Sequence, residues 1–151
     1  MRRGYAFVDD EDYERVMAAG PWHLLTRANA CSYAVHTSQS KTNVFMHRLI
    51  MGALPGQDVD HINHSGLDNR QANLRICTRS QNMANQRVRR GTRYKGVSWN
   101  TADGAWRAQI KVSGRQRLIG TFASEEDAAR AYDAAALTAW GEFARLNAYG
   151  E

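Results

Sequence analysis

The apolar positions of this 151-residue chain alternate with polar ones in its C-terminal third. Between positions 106 and 112, every second residue is apolar and the residues between them are basic or amide side chains. This period of two predicts a β-strand with one buried face and one polar face. A turn at Ser113-Gly114 then leads into the apolar stretch Leu118–Phe122, which predicts a further strand. We expect residues 94–147 to form three short strands and one helix.

The helix of this region is predicted by an alanine-rich segment that follows the strands. Ser124 and Asp127 have nearly the spacing of a capping box, and Glu125 and Glu126 suit a helix N-terminus. Gly141 is expected to end the helix. The small side chains should let the helix lie close against a thin sheet.

The N-terminal third shows weaker patterns. Two short apolar stretches, Tyr5–Val8 and Ser32–Val35, predict a small antiparallel sheet in residues 1–46. A short helix is expected over Asp10–Ala19, because Gly20-Pro21 should stop it. The predicted division is a β-rich segment at 1–46, a segment rich in His and Asn at 47–88, a basic linker at 89–93 and a C-terminal domain at 94–151.

Charge is distributed unevenly along the chain, whose net charge is +5. Residues 47–93 carry 8 Arg against 3 Asp, whereas residues 1–46 are balanced. The sheet-forming stretch 94–122 has a net charge of +4, and residues 123–151 have −4. A basic middle beside a dipolar C-terminal region favours nucleic-acid contact on selected faces, although a solvated basic surface would also produce this distribution.

The cysteine count limits the possible classes of protein. Only Cys31 and Cys77 are present, so a four-cysteine zinc site is impossible and a disulfide framework is not expected. We expect a reducing, cytoplasmic setting without a secretory leader. No apolar run approaches the length of a membrane span.

Four polar residues in the middle of the chain suggest a reaction. Asp60, His61, Asn73 and Asn82 supply a carboxylate, an imidazole and two carboxamides. Phosphodiester hydrolysis needs a base that deprotonates water, and an imidazole with a pKa near ~6.5 can act as this base. It also needs neutralisation of phosphoryl charge and stabilisation of the leaving 3′ oxygen, which a divalent ion on oxygen ligands can provide.

The segments that carry these residues resemble the HNH endonucleases, in particular the phage and intron homing branch. The resemblance rests on Val59–Asn63, Asn73–Arg75 and Ser80–Asn82, with further matches at His47–Leu49 and Asp68–Arg70. It implies a ββα-metal (His-Me finger) motif, with Leu74–Cys77 as a second strand and Arg79–Arg87 as a helix. By resemblance, Asp60 and Asn82 would be the ligands of one Mg²⁺ or Mn²⁺ ion, His61 the general base, and Asn73 the residue that fixes the imidazole.

Other polar residues of this region are not expected to take part in catalysis or metal binding. We expect His47 to be structural or to contact the DNA backbone rather than to bind a metal. His64 departs from the family pattern and is expected to have no role. Asn69 and Asn85 are interpreted as turn and surface residues.

Residues 94–147 resemble the plant-type DNA-binding domain of the Apetala/ethylene-response-factor family. The resemblance implies a three-stranded antiparallel sheet that enters the major groove of double-stranded DNA, with a helix packed behind it. Trp106 is expected in the core, whereas Trp99 could stack on a sugar. The matching elements are Tyr94–Val97, Trp106–Ile110, Ile119–Phe122, Ala128–Ala136 and Ala144–Asn147.

Alternation along the strands nominates the residues that would contact DNA. The plant target sequence is not transferred, because Ser98, Asn100, Gln116 and Leu118 stand where the plant domains have Arg or Trp. The nominated residues are Lys95, Arg107, Gln109, Lys111, Arg115 and Arg117.

Together these patterns predict an α+β protein that acts as a metal-dependent, sequence-directed DNA endonuclease. We expect a monomer without membrane contact and without structural zinc. One encoded site predicts one cut strand per protomer, with 5′-phosphate and 3′-hydroxyl ends. The alternatives are a catalytically silent DNA-binding regulator of phage origin and a non-specific nuclease.

Overall fold

The structure is a computed structural model that describes residues 4–26, 31–38, 40–88 and 91–149. The chain forms two units, Met1–Thr78 and Arg79–Glu151, and each is described by itself. Helices and antiparallel sheets occur in both units, which confirms the predicted mixture of α and β structure. No helix among the described residues is both long and apolar enough to cross a membrane.

The first unit combines short helices with two antiparallel sheets. A three-stranded sheet has the order β1-β2-β3, and a two-stranded sheet pairs β4 with β5. The helix expected near the N-terminus is present. In chain order, the elements are α1 (Asp10–Ala18), β1 (His23–Thr26), β2 (Ser32–Thr37), β3 (Asn43–Phe45), α2 (Met46–Met51), β4 (Asp58–His61) and β5 (Leu74–Cys77).

Five elements of this unit, α1, β2, α2, β4 and β5, contribute buried residues to one core. The N-terminal elements therefore do not stand apart from the strands that carry Asp60 and His61, although the sequence suggested a boundary at residue 46. The physical reason is that a two-stranded ribbon such as β4–β5 is marginal in water unless it packs on other elements. The buried core residues are Val16, Ala34, Met46, Ile50, Val59 and Leu74.

The apolar stretch Tyr5–Val8 does not become a strand of the sheet. Phe7 forms a single parallel bridge with Asp68, in which its N–H donates to the carbonyl of Leu67 at 2.8 Å. The N–H of Asn69 donates to the Phe7 carbonyl, also at 2.8 Å. This stretch therefore supports the loop between β4 and β5.

The second unit contains the predicted three strands and an alanine-rich helix. Ser124 caps the helix, because its hydroxyl accepts the N–H of Asp127 at 3.0 Å, and the helix ends at Gly141 as expected. The sheet has the order β6-β7-β8 with antiparallel pairing throughout. The elements are α3 (Arg79–Ala84), β6 (Val97–Asn100), β7 (Ala105–Val112), β8 (Arg115–Phe122) and α4 (Glu125–Trp140).

Small residues allow α4 to approach the sheet closely. Ala128 and Ala129 are fully buried in one cluster with Ala108 of β7. Gly96 lies under Tyr132 with a positive φ of 75°, and a Cβ atom there would come within 2.0 Å of the tyrosine ring. A side chain at position 96 would therefore collide with the helix, which explains why glycine is required there.

A buried polar network fastens the end of the chain to α4. Asp133 accepts the backbone N–H of Asn147 at 3.1 Å and its amide Nδ2 at 2.9 Å. The Tyr149 hydroxyl also donates to Asp133, and the Lys95 N–H donates to Asn147 Oδ1 at 2.6 Å. The segment after α4 thus closes the domain by hydrogen bonds to a buried carboxylate.

Candidate active site

Asp60 and His61 lie at the C-terminal end of β4, where the chain leaves the sheet. They are 6% and 7% exposed, so the adjacent carboxylate and imidazole are both buried. Asp60 pairs across the sheet with Arg75, and His61 pairs with Leu74. The turn that follows begins at once, because the His64 N–H donates to the carbonyl of His61 at 3.0 Å.

The imidazole of His61 is oriented by Asn69. His61 Nε2 lies 3.2 Å from Asn69 Oδ1, while the amide nitrogen of Asn69 donates to the sulfur of Met46 at 3.4 Å. An amide oxygen can only accept, so this pairing assigns the proton to Nε2. The Nδ1 atom of His61 is then the basic nitrogen.

The environment of His61 favours its neutral form. Burial lowers the pKa of the imidazole below its ordinary value of 6.5, and this effect exceeds the opposing effects of Asn69, Asp60 and Asp68. A neutral imidazole at physiological pH can accept a proton from water. The arrangement therefore suits His61 to act as a base.

The expected role of Asn73 is corrected by the structure. Asn73 Oδ1 accepts the backbone N–H of Asn63 at 3.0 Å, and its Nδ2 donates to the carbonyl of Asp68 at 2.8 Å. These bonds hold the two ends of the 62–73 loop together, whereas the amide that fixes the imidazole belongs to Asn69. Sequence spacing could not distinguish the two amides, because both lie in the same connection.

Asn69 is also not the turn and surface residue that the sequence suggested. Its relative exposure is 0%, and Asn85 is likewise buried at 6%. The signal for Asn69 was present in the match at Asp68–Arg70, but an isolated Asn in a polar loop has no periodicity that would indicate burial.

The Asp60 carboxylate is held by Arg75 on the neighbouring strand. Arg75 Nε and Nη2 donate to the same oxygen, Oδ2, at 2.9 and 2.8 Å. The pairing follows from the register, because directly opposite residues of an antiparallel pair project on the same side of the sheet. Any cation that binds Asp60 must therefore share its carboxylate with the guanidinium of Arg75.

Three rings form a cluster beside His61, and we call this cluster the ring slot; it consists of Tyr33, Phe45 and His47. The His47 ring lies 4.9 Å from the His61 ring at an interplanar angle of 80°, and Tyr33 lies 5.9 Å from His61. Burial, followed by the nearby His61, lowers the pKa of His47 to about 3. His47 is therefore a buried, neutral neighbour of His61. Its exposure of only 8% agrees with the expectation that it is a structural residue.

The loop between β4 and β5 is fastened by an ion pair. Arg70 Nε and Nη2 donate to the two oxygens of Asp68, each at 2.8 Å, and Asn63 also donates to Asp68 at 2.8 Å. The hydrogen bonds from Arg70 lower the pKa of Asp68 to about 2. The carboxylate is thus charged at neutral pH and keeps the loop closed.

Asn82, the second expected metal ligand, lies on α3, which the structure groups with the second unit. The donor set itself suits a hard divalent cation, because a carboxylate and an amide oxygen are oxygen ligands. Among the described residues, no cluster of three or more His, Cys, Asp or Glu could hold a metal ion. That Asp60 and Asn82 together bind one cation stays a prediction.

The sheet of the second unit presents one face away from α4, and we call it the open face. On β7 the open face carries Arg107, Gln109 and Lys111. These residues alternate with residues that face α4, such as Ala108 and Ile110. The cross-strand partners of the three are Thr121, Leu118 and Gln116. The sequence alternation therefore predicted the side of β7 correctly.

Side chains on the open face already interact with one another. Arg107 Nη2 pairs with Asp103 Oδ2 at 2.6 Å, and the two side chains are 37% and 44% exposed. Gln116 donates to Gln109 across the strands. These contacts are solvent-accessible, so a phosphate or base edge can compete for the same donors.

Lys95 is not on the open face. Its ammonium group donates to the carbonyls of Ala84, at the end of α3, and Gln86, the latter at 3.0 Å. Burial lowers its pKa to about 8. Its ammonium group thus binds carbonyls at and just after the end of α3, unlike the other nominated residues, and its contact with DNA stays a prediction.

Arg115 and Arg117 take the other side of β8. They pair with Val112 and Ile110, whose side chains face α4. Because directly opposite residues project on the same side of a sheet, Arg115 and Arg117 do not share the open face with Arg107. A bulge between Ala108 and Gln109 shifts the register of this strand pair. The bulge is the reason that alternation alone could not place these two arginines.

The two tryptophans of the sheet differ in exposure. Trp106 is partly buried against the core cluster, as predicted. Trp99 is 50% exposed and lies with its ring 5.3 Å from that of Trp106. Its exposed surface leaves it able to contact a ligand.

Comparison with known protein families identifies both halves of the chain. Residues 44–84 match the HNH endonuclease family, and residues 92–142 match the AP2 domain family. No solved structure shows a significant match.

Similar proteins agree with these two matches. An uncharacterized HNH endonuclease of Acanthamoeba polyphaga mimivirus is 30% identical over 145 residues, which cover 95% of this chain and 74% of the relative. An AP2-like ethylene-responsive transcription factor of Arabidopsis thaliana is 50% identical over 46 residues, covering 29% of this chain and 9% of that factor. A rice protein of the same description is 46% identical over 57 residues, 36% of this chain and 8% of that protein. The chain therefore belongs to the HNH endonucleases and is a DNA-cleaving hydrolase that also carries an AP2 domain.

Proposed function

We propose that this protein is a metal-dependent, sequence-directed endonuclease that nicks double-stranded DNA. The observation that carries the proposal is the pairing of His61 Nε2 with Asn69, which makes Nδ1 the basic nitrogen of the imidazole that follows Asp60 in the chain. A base and an anionic oxygen ligand at adjacent positions are the two groups that hydrolysis by an activated water requires.

In this proposal His61 Nδ1 takes the proton of the attacking water. Asn69 keeps the imidazole in the tautomer that can do so, and Asn73 keeps the supporting loop closed through Asn63 and Asp68. Asp60 and Asn82 would hold one Mg²⁺ or Mn²⁺ ion, which supplies charge neutralisation at the phosphoryl oxygens and at the leaving 3′ oxygen. The products would carry 5′-phosphate and 3′-hydroxyl ends.

The AP2 domain would direct cleavage by placing its open face in the major groove. Arg107, Gln109 and Lys111 would make the contacts, and the exposed pair of Arg107 with Asp103 would open when a phosphate replaces the carboxylate. The net charge of +4 over residues 94–122 supports this assignment. We propose that a monomer acts, since each chain encodes one catalytic motif.

Incubation with supercoiled DNA tests the proposal directly. Wild type with Mg²⁺ or Mn²⁺ should convert supercoiled circles to open circles, and a chelator should stop the conversion. Asp60→Asn should lose cleavage while it keeps DNA affinity, and Gln57→Asn, at a nearby position outside the proposed site, is the matched control. Ligase should reseal the nick if the ends are 5′-phosphate and 3′-hydroxyl, whereas ends that resist ligation would contradict the proposed chemistry.

The contact between Arg75 and Asp60 supports a second candidate, a catalytically silent DNA-binding protein. If the guanidinium keeps the carboxylate occupied, a cation cannot compete. Titration of the protein with Mn²⁺ separates the two candidates. Binding that is lost in Asp60→Asn supports the nuclease, and DNA binding without either metal binding or nicking supports the silent protein.

A further inference from the structure

His47 is a buried residue for which the proposed reaction has no use, and yet its ring touches that of the proposed base. It is the second residue of α2 and lies far from His61 in sequence. The fold brings the two rings to 4.9 Å, nearly perpendicular to each other. The contact is therefore produced by the packing of α2 against β4, not by local geometry.

The rest of the ring slot is also built from distant elements. Tyr33 of β2 lies 5.6 Å from His47 and 5.9 Å from His61, and Phe45 of β3 lies 5.3 Å from His47. The Tyr33 ring also lies close to the loop at Gly66. A Cβ atom at position 66 would come within 2.7 Å of this ring. Rings from β2 and α2 thus contact the His61 imidazole, and Phe45 of β3 packs behind them.

The hydrogen bond to Asn69 acts on one end of the His61 ring. The Cβ–Cγ axis of a histidine leaves the ring between Cε1 and Nε2, so Nδ1 lies farther from this axis than Nε2 does. Rotation about the Cβ–Cγ bond therefore displaces Nδ1 and its lone pair more than it displaces Nε2. A perpendicular ring packed against the imidazole restrains this rotation.

His47 makes this contact with its ring and not through a hydrogen bond. Its Nδ1 atom is buried and has no hydrogen-bond partner within the described part of the chain. The low pKa of His47 means that the ring is uncharged, so the contact is one between two neutral rings. An aromatic ring without nitrogen should serve equally well at this position.

We propose that His47 is a positioning residue that holds the plane of the His61 imidazole, so that Nδ1 points at the attacking water. The inference rests on the proposed role of His61 as the base. The ring slot would then position His61 in addition to packing the core. Asn69 would set the tautomer of His61, and His47 would set the orientation of its ring.

Two substitutions at position 47 separate a ring effect from a volume effect. His47→Leu removes the ring and should lower kcat roughly 10- to 100-fold, since small misplacement of a catalytic group is costly. His47→Phe keeps a ring and should stay within about threefold of wild type, because only orientation is needed. KM for DNA and the melting temperature should change little in both variants.

A double-mutant cycle tests whether His47 acts through His61. In the His61→Ala background, His47→Leu should cause no further loss, because there is no imidazole left to position. An equal loss in both backgrounds would show that His47 acts independently and would overturn the proposal. So would wild-type cleavage by His47→Leu, or an equal loss in His47→Phe, which would assign the effect to a nitrogen atom.

Nitrogen-15 NMR of the free protein tests the proposal without relying on cleavage. Wild type should show separate His61 nitrogen signals of the Nε2-protonated tautomer, and His61→Ala identifies them. In His47→Leu these nitrogen signals should keep their positions, because Asn69 still sets the tautomer, while carbon-13 relaxation of the His61 ring should show more motion than in wild type. Equal ring motion in both proteins would overturn the proposal. If wild type does not cut DNA but the signals behave as expected, the proposed nuclease function fails while the positioning by His47 stands.

Discussion

The two units of this protein use buried polar groups for different purposes. In the first unit the hydrogen bond between His61 and Asn69 lies inside the protein and carries the proposed chemistry. In the second unit the buried network around Asp133 and Asn147 holds the scaffold, while the residues expected to meet DNA lie on the open face. Catalysis needs a preorganised, water-poor centre, whereas contact with phosphates needs charged groups that solvent and DNA can reach.

Breaking the scaffold network should have the largest effect on stability. Asn147→Ala removes the Nδ2 donor to the buried carboxylate of Asp133 and the Oδ1 acceptor of the Lys95 N–H, and should cost roughly 3 kcal/mol of unfolding free energy in the second unit. Thr138→Ala is the control, because Thr138 is exposed and lies on α4 like Asp133. It should change stability by less than about 0.5 kcal/mol. Urea denaturation followed by tryptophan fluorescence measures both variants; equal stability would mean that the network does not hold the domain.

Breaking the catalytic hydrogen bond should affect rate more than folding. Asn69→Ala removes the acceptor of His61 Nε2 and should lower kcat roughly 10- to 100-fold, the range found for partners that orient functional groups. Asn73→Ala should instead lower the melting temperature, because it opens the loop held through Asn63 and Asp68. Single-turnover cleavage and thermal denaturation of both variants compare the two amides. A larger rate effect for Asn73 would restore the role that the sequence suggested.

The buried histidine makes the first unit sensitive to acid. His47 has a pKa of about 3 in the folded protein and 6.5 in the unfolded chain, so the unfolded chain binds the extra proton between these values. Stability therefore falls as the pH falls through this window, by about 2 kcal/mol between pH 7 and pH 5. His47→Phe should lose less stability over the same interval, as measured by denaturation at both pH values. Parallel losses in the two proteins would contradict the burial of a neutral imidazole.

Removing charge from the two sides of the sheet should have the smallest but most specific effect. Arg107→Ala combined with Lys111→Ala should reduce the salt dependence of DNA binding by about 1.8 in the log–log slope, at ~0.9 for each phosphate contact. Arg115→Ala combined with Arg117→Ala removes the same charge from the other register and is the matched control. Equal slopes for the two double variants would mean that the open face does not define the DNA surface.

The sequence predicted those features that repeat along the chain. The strand with alternating residues from 106 to 112, the capped helix that begins after Ser124 and the helix near the N-terminus all followed from periodicity and capping rules. The family resemblance brought Asp60, His61 and the AP2 domain into view. These signals are local, so a single sequence can carry them.

The features that the sequence missed depend on tertiary contacts. Asn69 and Asn73 differ only in which partner the folded loop brings to each amide. Lys95 was expected to contact phosphate, but Ala84 at the end of α3 and Gln86 supply carbonyls that accept hydrogen bonds from its ammonium group. Arg117 depends on a bulge, which a period of two cannot reveal.

The most direct test of the central claim compares cleavage and binding in His61→Ala. The account predicts that wild type nicks supercoiled DNA in Mg²⁺ or Mn²⁺, and that His61→Ala loses roughly 10²- to 10⁴-fold in rate. DNA affinity measured without metal should be the same for both proteins, because the base does not carry binding. Cleavage by His61→Ala at the wild-type rate, or a loss of binding equal to the loss of cleavage, would contradict the account.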